Sequence, residues 1–204
     1  MSIRDTKSVI SLYERRLKKY GVSVKTMGWR NKKQQDLRFK VLSEIGSLSN
    51  KKILDIGCGF GDFYDYLISH DMSIKYSGYD IAPKIIEAAK IKHPNLKLEV
   101  KDILKDEIRE KFDYVFESGI FNKRVKNNIC YAKKIIKKMF SLCKVAIGFN
   151  MTTDYVDYKE RRLFYYSPYE IFKFAKSLSR FAVLRHDYPL YEFTAYIYKI
   201  CPND

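Results

Sequence analysis

Ile53-Leu54-Asp55-Ile56-Gly57-Cys58-Gly59-Phe60-Gly61-Asp62 is the stretch on which the fold turns. An apolar run ends in an acid and then breaks into glycines at alternate positions. Apolar residues resume at Phe63, Tyr66 and Leu67, at helical spacing. The pattern predicts strand, tight turn and helix in succession. Glycine serves where the backbone takes positive φ or where a ligand lies against the main chain. The helix that follows aims its free N–H groups at whatever sits on the turn. The stretch therefore predicts a nucleotide-type pocket at the carboxyl end of a first strand.

Outward from it, strands and helices alternate. Strand 52–57 leads to helix 61–70, strand 74–80 to helix 83–92, and strand 96–100 to an acidic stretch reaching about 110. Strand 112–117 leads to helix 125–141, and strand 143–149 to helix 168–177. Strands at about 180–187 and 191–200 are separated only by Tyr188-Pro189-Leu190. Such alternation predicts a parallel sheet covered on both faces. The last two strands lie too close for a crossover helix, so they form a hairpin. Upstream, residues 7–20 and about 32–47 read as helices, joined by a loop that carries Trp29. The expectation is one α/β domain over 1–204: a doubly wound, mostly parallel seven-stranded sheet with a C-terminal antiparallel hairpin strand. Residues 1–48 form an N-terminal helical cap on a core of 49–204.

Composition narrows the class. With 204 residues, 46% hydrophobic and 15% aromatic, the chain suits one globular domain with a sizeable core. No apolar run approaches the roughly 18 residues of a membrane span, and Met1-Ser2-Ile3-Arg4-Asp5 lacks the apolar stretch of a secretory signal. Cys58, Cys130, Cys143 and Cys201 have no metal-ligand spacing and read as reduced thiols of a cytoplasmic protein; no metal is expected. The formal net charge of +15 is compatible with nucleic acid, an anionic substrate or a membrane surface. Its densest part is Lys123-Arg124-Val125-Lys126 with Lys133, Lys134, Lys137 and Lys138. Interleaved Ile129, Ala132, Ile136, Met139 and Phe140 favour a helix with a solvated basic face over a nucleic-acid groove.

The glycine pattern separates cofactors. A dinucleotide fingerprint is Gly-x-Gly-x-x-Gly. Here Asp62 stands where its third glycine would, and Gly61 comes one residue earlier; this disfavours a nicotinamide oxidoreductase. The Asp-x-Gly-x-Gly-x-Gly order from Asp55 to Gly61 resembles motif I of the class I S-adenosylmethionine (SAM) methyltransferases. That resemblance covers about residues 50–150. It implies SAM as cofactor, S-adenosylhomocysteine (SAH) as product, and the sheet described above. It implies that Asp55 holds the methionine portion, with Gly57, Cys58, Gly59 and Gly61 forming the close-approach turn. Asp80 and Ile81, ending strand two, fall where the family clasps the ribose. Asp102 and Ile103 fall where it meets the adenine, and Glu117 stands at motif IV, beside the methyl group. Phe60, Phe63, Tyr79 and Phe121 are either core or aromatic faces near the sulfonium. Arg38, with Gln34 one turn earlier, is a candidate for the SAM carboxylate, since Arg binds carboxylates in a bidentate way.

Methyl transfer needs alignment of donor and acceptor, and a protonated oxygen acceptor also needs a base. Doubly wound sheets bind ligands beyond the strands' carboxyl ends. That places Asn150, His186, Asp187, Tyr188 and Glu192 around the mouth. His186, Glu117 and Tyr188 are the catalytic candidates; an ordinary imidazole titrates near about 6.5, and a purely structural histidine is the competing reading of His186. The tyrosine-rich stretch 154–168, with Arg161 and Arg162, lies where a lid would lie. Gly28-Trp29-Arg30, Glu117 to Asn122 and Asp187 to Thr194 look like a group of small bacterial methyltransferases, some of which accompany surface-polysaccharide biosynthesis. This suggests O-methylation of a small acceptor: an anionic, nucleotide-linked or phosphorylated glycan precursor. The alternatives are an RNA or DNA methyltransferase and a non-catalytic SAM-binding subunit. Against the first, strand four lacks the Asn/Asp-Pro-Pro-Tyr/Phe arrangement, and the chain contains no Pro-Cys nucleophile.

Overall fold

The computed structural model describes residues 3–202; Met1, Ser2, Asn203 and Asp204 lie outside the described residues. The chain runs through α1 (Ile3–Tyr20), α2 (Lys32–Ser43), β1 (Lys52–Ile56), α3 (Asp62–Ser69), β2 (Lys75–Asp80), α4 (Pro83–Lys92), β3 (Lys97–Val100) and β4 (Phe112–Ser118). It continues through α5 (Asn128–Leu142), β5 (Cys143–Thr152), α6 (Pro168–Leu178), β6 (Phe181–Arg185) and β7 (Glu192–Tyr198). The strands form one seven-stranded sheet in the order β3-β2-β1-β4-β5-β7-β6. Pairings from β3 through β5 are parallel, and β7 runs antiparallel to both its neighbours.

The expected hairpin is present, but β7 does not close the sheet at an edge. It inserts between β5 and β6, and all seven of its residues are buried. Its near-continuous apolar pattern fits a strand covered on both faces.

Adjacent residues on the central strands divide between two cores, as a pleat requires. Leu54 and Val115 face α5 and α6 and pack with Ile136, Met139, Ile147 and Ile171. Ile53 and Phe116 face the other way and pack with Leu42 of α2, Leu67 of α3 and Ile86 of α4. Helix starts follow the local chemistry. Asn31 caps α2 by accepting from the Gln34 N–H at 2.9 Å. Ser167 caps α6 ahead of Pro168 at its first turn. Helix α5 starts at Asn128, not at 125, because Asn127 caps it and the Asn128 side chain accepts from the Val125 N–H at 2.9 Å.

The two N-terminal helices occupy different places. Helix α1 packs on α4, where Ile10, Tyr13 and Leu17 meet Phe60, Ala82 and Ile85. Helix α2 lies against the sheet and is tied to β7. The Tyr198 hydroxyl donates to the Ile45 carbonyl at 3.0 Å, and the Tyr196 hydroxyl donates to the Val41 carbonyl. A third tie is ionic: Arg38 of α2 grips Glu192 of β7 through Nε at 2.6 Å and Nη2 at 2.7 Å, with both side chains buried.

A buried bidentate pair is most costly when half of it is removed. Arg38→Ala leaves the Glu192 carboxylate uncompensated and is expected to lower stability by about 3–5 kcal/mol. The double change Arg38→Met, Glu192→Leu should cost much less than Arg38→Ala alone. Urea unfolding of wild type and both variants tests this, and equal losses would show that the charge pair is not what ties α2 to β7.

Candidate functional site

A crevice opens beyond the carboxyl ends of β1, β2 and β4, where the strand order reverses about β1. Its floor is Asp55, Ile56, Gly57, Cys58 and Gly59 from β1 and the turn after it. One side carries Tyr79, Asp80, Ile81, Lys101, Asp102 and Ile103. The other carries Ser118, Gly119, Ile120, Lys123, Val125 and Tyr131. Val9 and Tyr13 of α1, with Met27 and Trp29 of the next loop, lie across the mouth.

The turn is fixed by hydrogen bonds. Gly57 N–H donates to the Tyr79 carbonyl at 2.7 Å. The Asp80 carboxylate accepts from the Gly59 N–H at 3.2 Å and from the Ala82 N–H at 2.9 Å. Gly59 has φ +54, and a Cβ there would stand 2.5 Å from the Met27 sulfur. Only glycine accepts both that backbone and that approach. Gly61 precedes α3 with no side-chain cap, so the helix N-terminus stays open. Asp62, in that first turn, is held by Gln35 Nε2 at 3.0 Å and Lys92 Nζ at 2.8 Å.

Three acids at strand ends are perturbed by burial. Asp55 is pushed up to about 7, although the Tyr76 hydroxyl donates to it at 2.5 Å and opposes the rise. Asp80 is raised by burial against its backbone hydrogen bonds. Glu117 is raised well above the ordinary carboxylate range, again by burial first. Its Oε1 accepts from the Ile120 N–H at 2.5 Å, while its Oε2 is buried with no hydrogen-bond partner among the described residues. Asp102 is engaged locally: Oδ1 accepts from the Leu104 N–H at 3.1 Å and Oδ2 pairs with Lys105 at 3.0 Å. Among the described residues no group of three or more His, Cys, Asp or Glu is arranged to hold a metal ion.

Residues 47–201 match a family of methyltransferase domains. The Mycobacterium tuberculosis protein named "Putative methyltransferase Rv1506c" is 31% identical over 154 residues, which is 72% of this chain and 92% of that one. This chain belongs to the methyltransferase-domain family. A malonyl-[acyl-carrier protein] O-methyltransferase of Ilyobacter polytropus is 33% identical over 79 residues, 37% of this chain and 30% of that protein. Magnesium protoporphyrin IX methyltransferase from Synechocystis PCC 6803, crystallised with bound SAM, superposes with a TM-score of 0.68 at 15% identity. The match covers 98% of this chain and 99% of that one, a likeness of fold.

Within this methyltransferase, Asp55, Gly57, Cys58 and Gly59 on the floor and Asp80, Ile81, Asp102 and Ile103 on one side line the same crevice. Gly61 adjoins it as the residue preceding α3. Glu117 lies just behind the lining, which runs on through Ser118, Gly119 and Ile120. Arg38 stands elsewhere. Its guanidinium is occupied by Glu192, by the Gln34 carbonyl at 2.8 Å and by the face of Trp29 at 4.3 Å. The Gln34 and Arg38 pair expected at a cofactor carboxylate is thus a junction between α2, the Trp29 loop and β7.

The catalytic candidates from the C-terminal strands are also spread out. His186 is exposed at the outer edge of the sheet, its ring 6.0 Å from Tyr155 and 6.3 Å from Phe193. Asp187 is turned to Arg185, with contacts at 2.8 and 3.0 Å. The half-buried Tyr188 hydroxyl meets the Thr194 hydroxyl at 2.9 Å, and burial raises it far above the ordinary tyrosine value. Asn150 donates to Ser118 at 3.2 Å, beside the crevice. The stretch 154–168 leans on the β4–α5 loop: Phe164 N–H donates to the Asn122 carbonyl at 3.0 Å, and Arg124 donates to the Arg161 and Leu163 carbonyls.

Sequence reasoning did not reach Val9, Tyr13, Met27, Trp29, Lys123 and Tyr131 as crevice residues. Val9 and Tyr13 carried a usable signal, because they fall four apart on one helical face. Met27 and Trp29 sit in a loop whose path no periodicity encodes.

The Gly59 contact is open to test. Gly59→Ala is expected to cost about 1–2 kcal/mol from positive φ alone, and more through collision with Met27. Combining it with Met27→Ala should recover the collision component. A double-mutant cycle read by chemical unfolding measures this; strictly additive losses would show that the thioether does not press on the turn.

Proposed function

We propose that this methyltransferase transfers a methyl group from SAM to an oxygen of a small, anionic acceptor, with a nucleotide-linked or phosphorylated sugar as the favoured class. When bound, SAM supplies an electrophilic methyl group on a sulfonium centre. The observation that carries the reading is the acid wall beyond β1, β2 and β4, joined to an open glycine turn. The residues fit a cationic donor. Glu117 Oε2 is a buried acceptor atom without a partner, and burial holds Asp55 and Asp80 high in the absence of a cation. In this reading Asp55 and Glu117 compensate the donor's positive charge. Asp80 and Ile81 hold the ribose, Asp102 and Ile103 border the adenine, and Gly57, Cys58, Gly59 and Gly61 admit the donor's methionine part.

Residues 1–48 act in this proposal as a cap on a single cytoplasmic domain of 1–204. Tyr13, Met27 and Trp29 exclude water from the mouth, and Arg38 positions Trp29. The hydroxyls of Tyr13 and Tyr131 are held protonated by burial, so they serve as hydrogen-bond donors to an acceptor. His186 and Tyr188 are assigned to the outer acceptor surface with the 154–168 stretch, and His186 is the proton acceptor if that stretch closes on the crevice. The oxygen acceptor is supported by the Ilyobacter relative, which is named as an O-methyltransferase. The glycan part rests on the sequence resemblance and on the chain's net charge of +15. SAH formation from SAM with a panel of sugar phosphates and nucleotide sugars tests it. Turnover confined to RNA would replace it with the nucleic-acid reading.

Asp55 gives the donor site a pH signature. A cationic ligand favours the ionised carboxylate, but without ligand the group stays protonated below about 7. Binding below that pH must therefore expel a proton. SAM affinity should fall about tenfold from pH 8 to pH 6, and Asp55→Asn should bind weakly with no such slope. Calorimetry in two buffers of different ionisation enthalpy reads both the slope and the released proton; a flat profile would remove Asp55 from the donor site.

Trp29, the single tryptophan, packs on Gly119, where a Cβ would stand 2.7 Å from its ring. Its emission should change on titration with SAH, and Asp80→Ala should move the midpoint upward by about tenfold, the loss of charge-assisted hydrogen bonds. Emission that ignores SAH while calorimetry shows binding would place Trp29 outside the cap.

A further inference from the structure

Asp55 lines the crevice floor, and among the described residues a single hydrogen-bond donor reaches its carboxylate. Strands β1 and β2 pair with Ile53 opposite Tyr76 and Asp55 opposite Gly78. Residues two apart on a strand share a face, so Tyr76 and Asp55 project from the same side of the sheet. Gly78 presents no side chain to the carboxylate from across the pair. Tyr76 reaches along the face instead, and its hydroxyl donates to Asp55 Oδ2 at 2.5 Å. Tyr76 is buried, its ring lies 5.4 Å from that of Tyr64, and it is not among the residues that line the crevice. It meets the site through Asp55.

The other titratable groups that face Asp55 are acids and a thiol. Asp80 faces it from the end of β2, Glu117 from the end of β4, Asp62 from α3 and Cys58 from the turn. The nearby Lys92 is engaged by Asp62 and Asp65. Among the described residues no cation pairs with Asp55, and no hydrogen bond reaches its Oδ1. A lysine in place of Tyr76 would neutralise the acid and repel a cationic ligand. A hydroxyl stabilises the ionised carboxylate without adding charge. Burial, and Asp55 itself, keep the Tyr76 hydroxyl protonated.

We propose that Tyr76 is a positioning residue for the donor: its hydroxyl ties Asp55 Oδ2 into the sheet and leaves Oδ1 to meet the donor's positive charge. The inference rests on the reading of Asp55 as a donor-site acid and adds the group that sets its direction and its proton balance. Tyr76 touches no ligand in this arrangement. Its effect on the donor passes through the carboxylate, and it is largest where Asp55 is partly protonated. Removing the hydroxyl while keeping the ring therefore weakens the donor at low pH and spares it at high pH.

The test uses the full chain and two readouts. Carbon-13 NMR of the ligand-free protein follows the Asp55 carboxyl, identified by its absence in Asp55→Asn. Tyr76→Phe should move its titration midpoint upward by about one pH unit, the loss of one hydrogen bond to a charged group. Calorimetry with SAM from pH 6 to pH 9 gives the second readout. Tyr76→Phe should bind about tenfold more weakly than wild type at pH 6 and nearly as tightly at pH 9. In the Asp55→Asn background, Tyr76→Phe should change nothing. The inference falls if the Asp55 midpoint is the same in wild type and Tyr76→Phe, or if the midpoint moves and SAM affinity does not. It falls also if Tyr76→Phe weakens SAM equally at every pH or weakens it in the Asp55→Asn background, either of which would make the tyrosine a packing residue. Asp55→Asn that binds SAM as wild type does would instead overturn the donor-site reading itself, a separate outcome.

Discussion

Strand β1 is flanked by parallel partners on both sides, β2 and β4. The helix after β1 packs in one core and the helix after β4 in the other. Two right-handed connections leaving a shared pair of strands must diverge, and their divergence opens a gap beyond the strand ends. Everything at the crevice follows from that gap. The turn after β1 has to cross its floor, and it can do so only with a backbone that lies flat. The Asp80 carboxylate then fixes the turn to the end of β2 through the Gly59 N–H.

The far side of the sheet reaches the same crevice through a chain of contacts. Inserting β7 beside β5 buries Glu192 at the start of the strand. A buried carboxylate needs a cation, and Arg38 of α2 provides one. The guanidinium then offers its face to Trp29 at 4.3 Å, and the indole settles on Gly119 just after β4. An ion pair seated in the outer half of the sheet thereby sets the position of a ring in the crevice mouth. Arginine is suited to this because one planar group can pair at its edge and stack on its face.

The parallel half of the fold was legible because each unit repeats a local rule: an apolar run, a break, then apolar residues at helical spacing. The glycine turn and the acids at the ends of β1 and β2 were legible for the same reason, since strand ends can be found from the runs alone. The insertion of β7 between β5 and β6 was not, because pairing order within a sheet leaves no mark on the spacing of a hairpin. Arg38 shows the limit most plainly. Its sequence neighbourhood is compatible with a ligand carboxylate or a protein one, and the choice is made by Glu192, 154 residues away. Lys123 was hidden differently: it sits in a basic run whose other members face solvent, and only the docking of residues 162–164 turns one of them inward.

The distribution of ion pairs carries a further argument. The chain has 39 lysines and arginines against 24 acids, so cations are in excess, and exposed acids such as Glu107 and Asp187 have found them. Among the described residues, Asp55, Asp80 and Glu117 have no ion-pair partner, although burial raises all three carboxyls above their ordinary values. Withholding a lysine from that wall keeps stability lower than it could be, and such a cost persists where a ligand supplies the missing charge. On the proposed reading, such a wall matches a donor that is itself a cation and leaves as a neutral thioether.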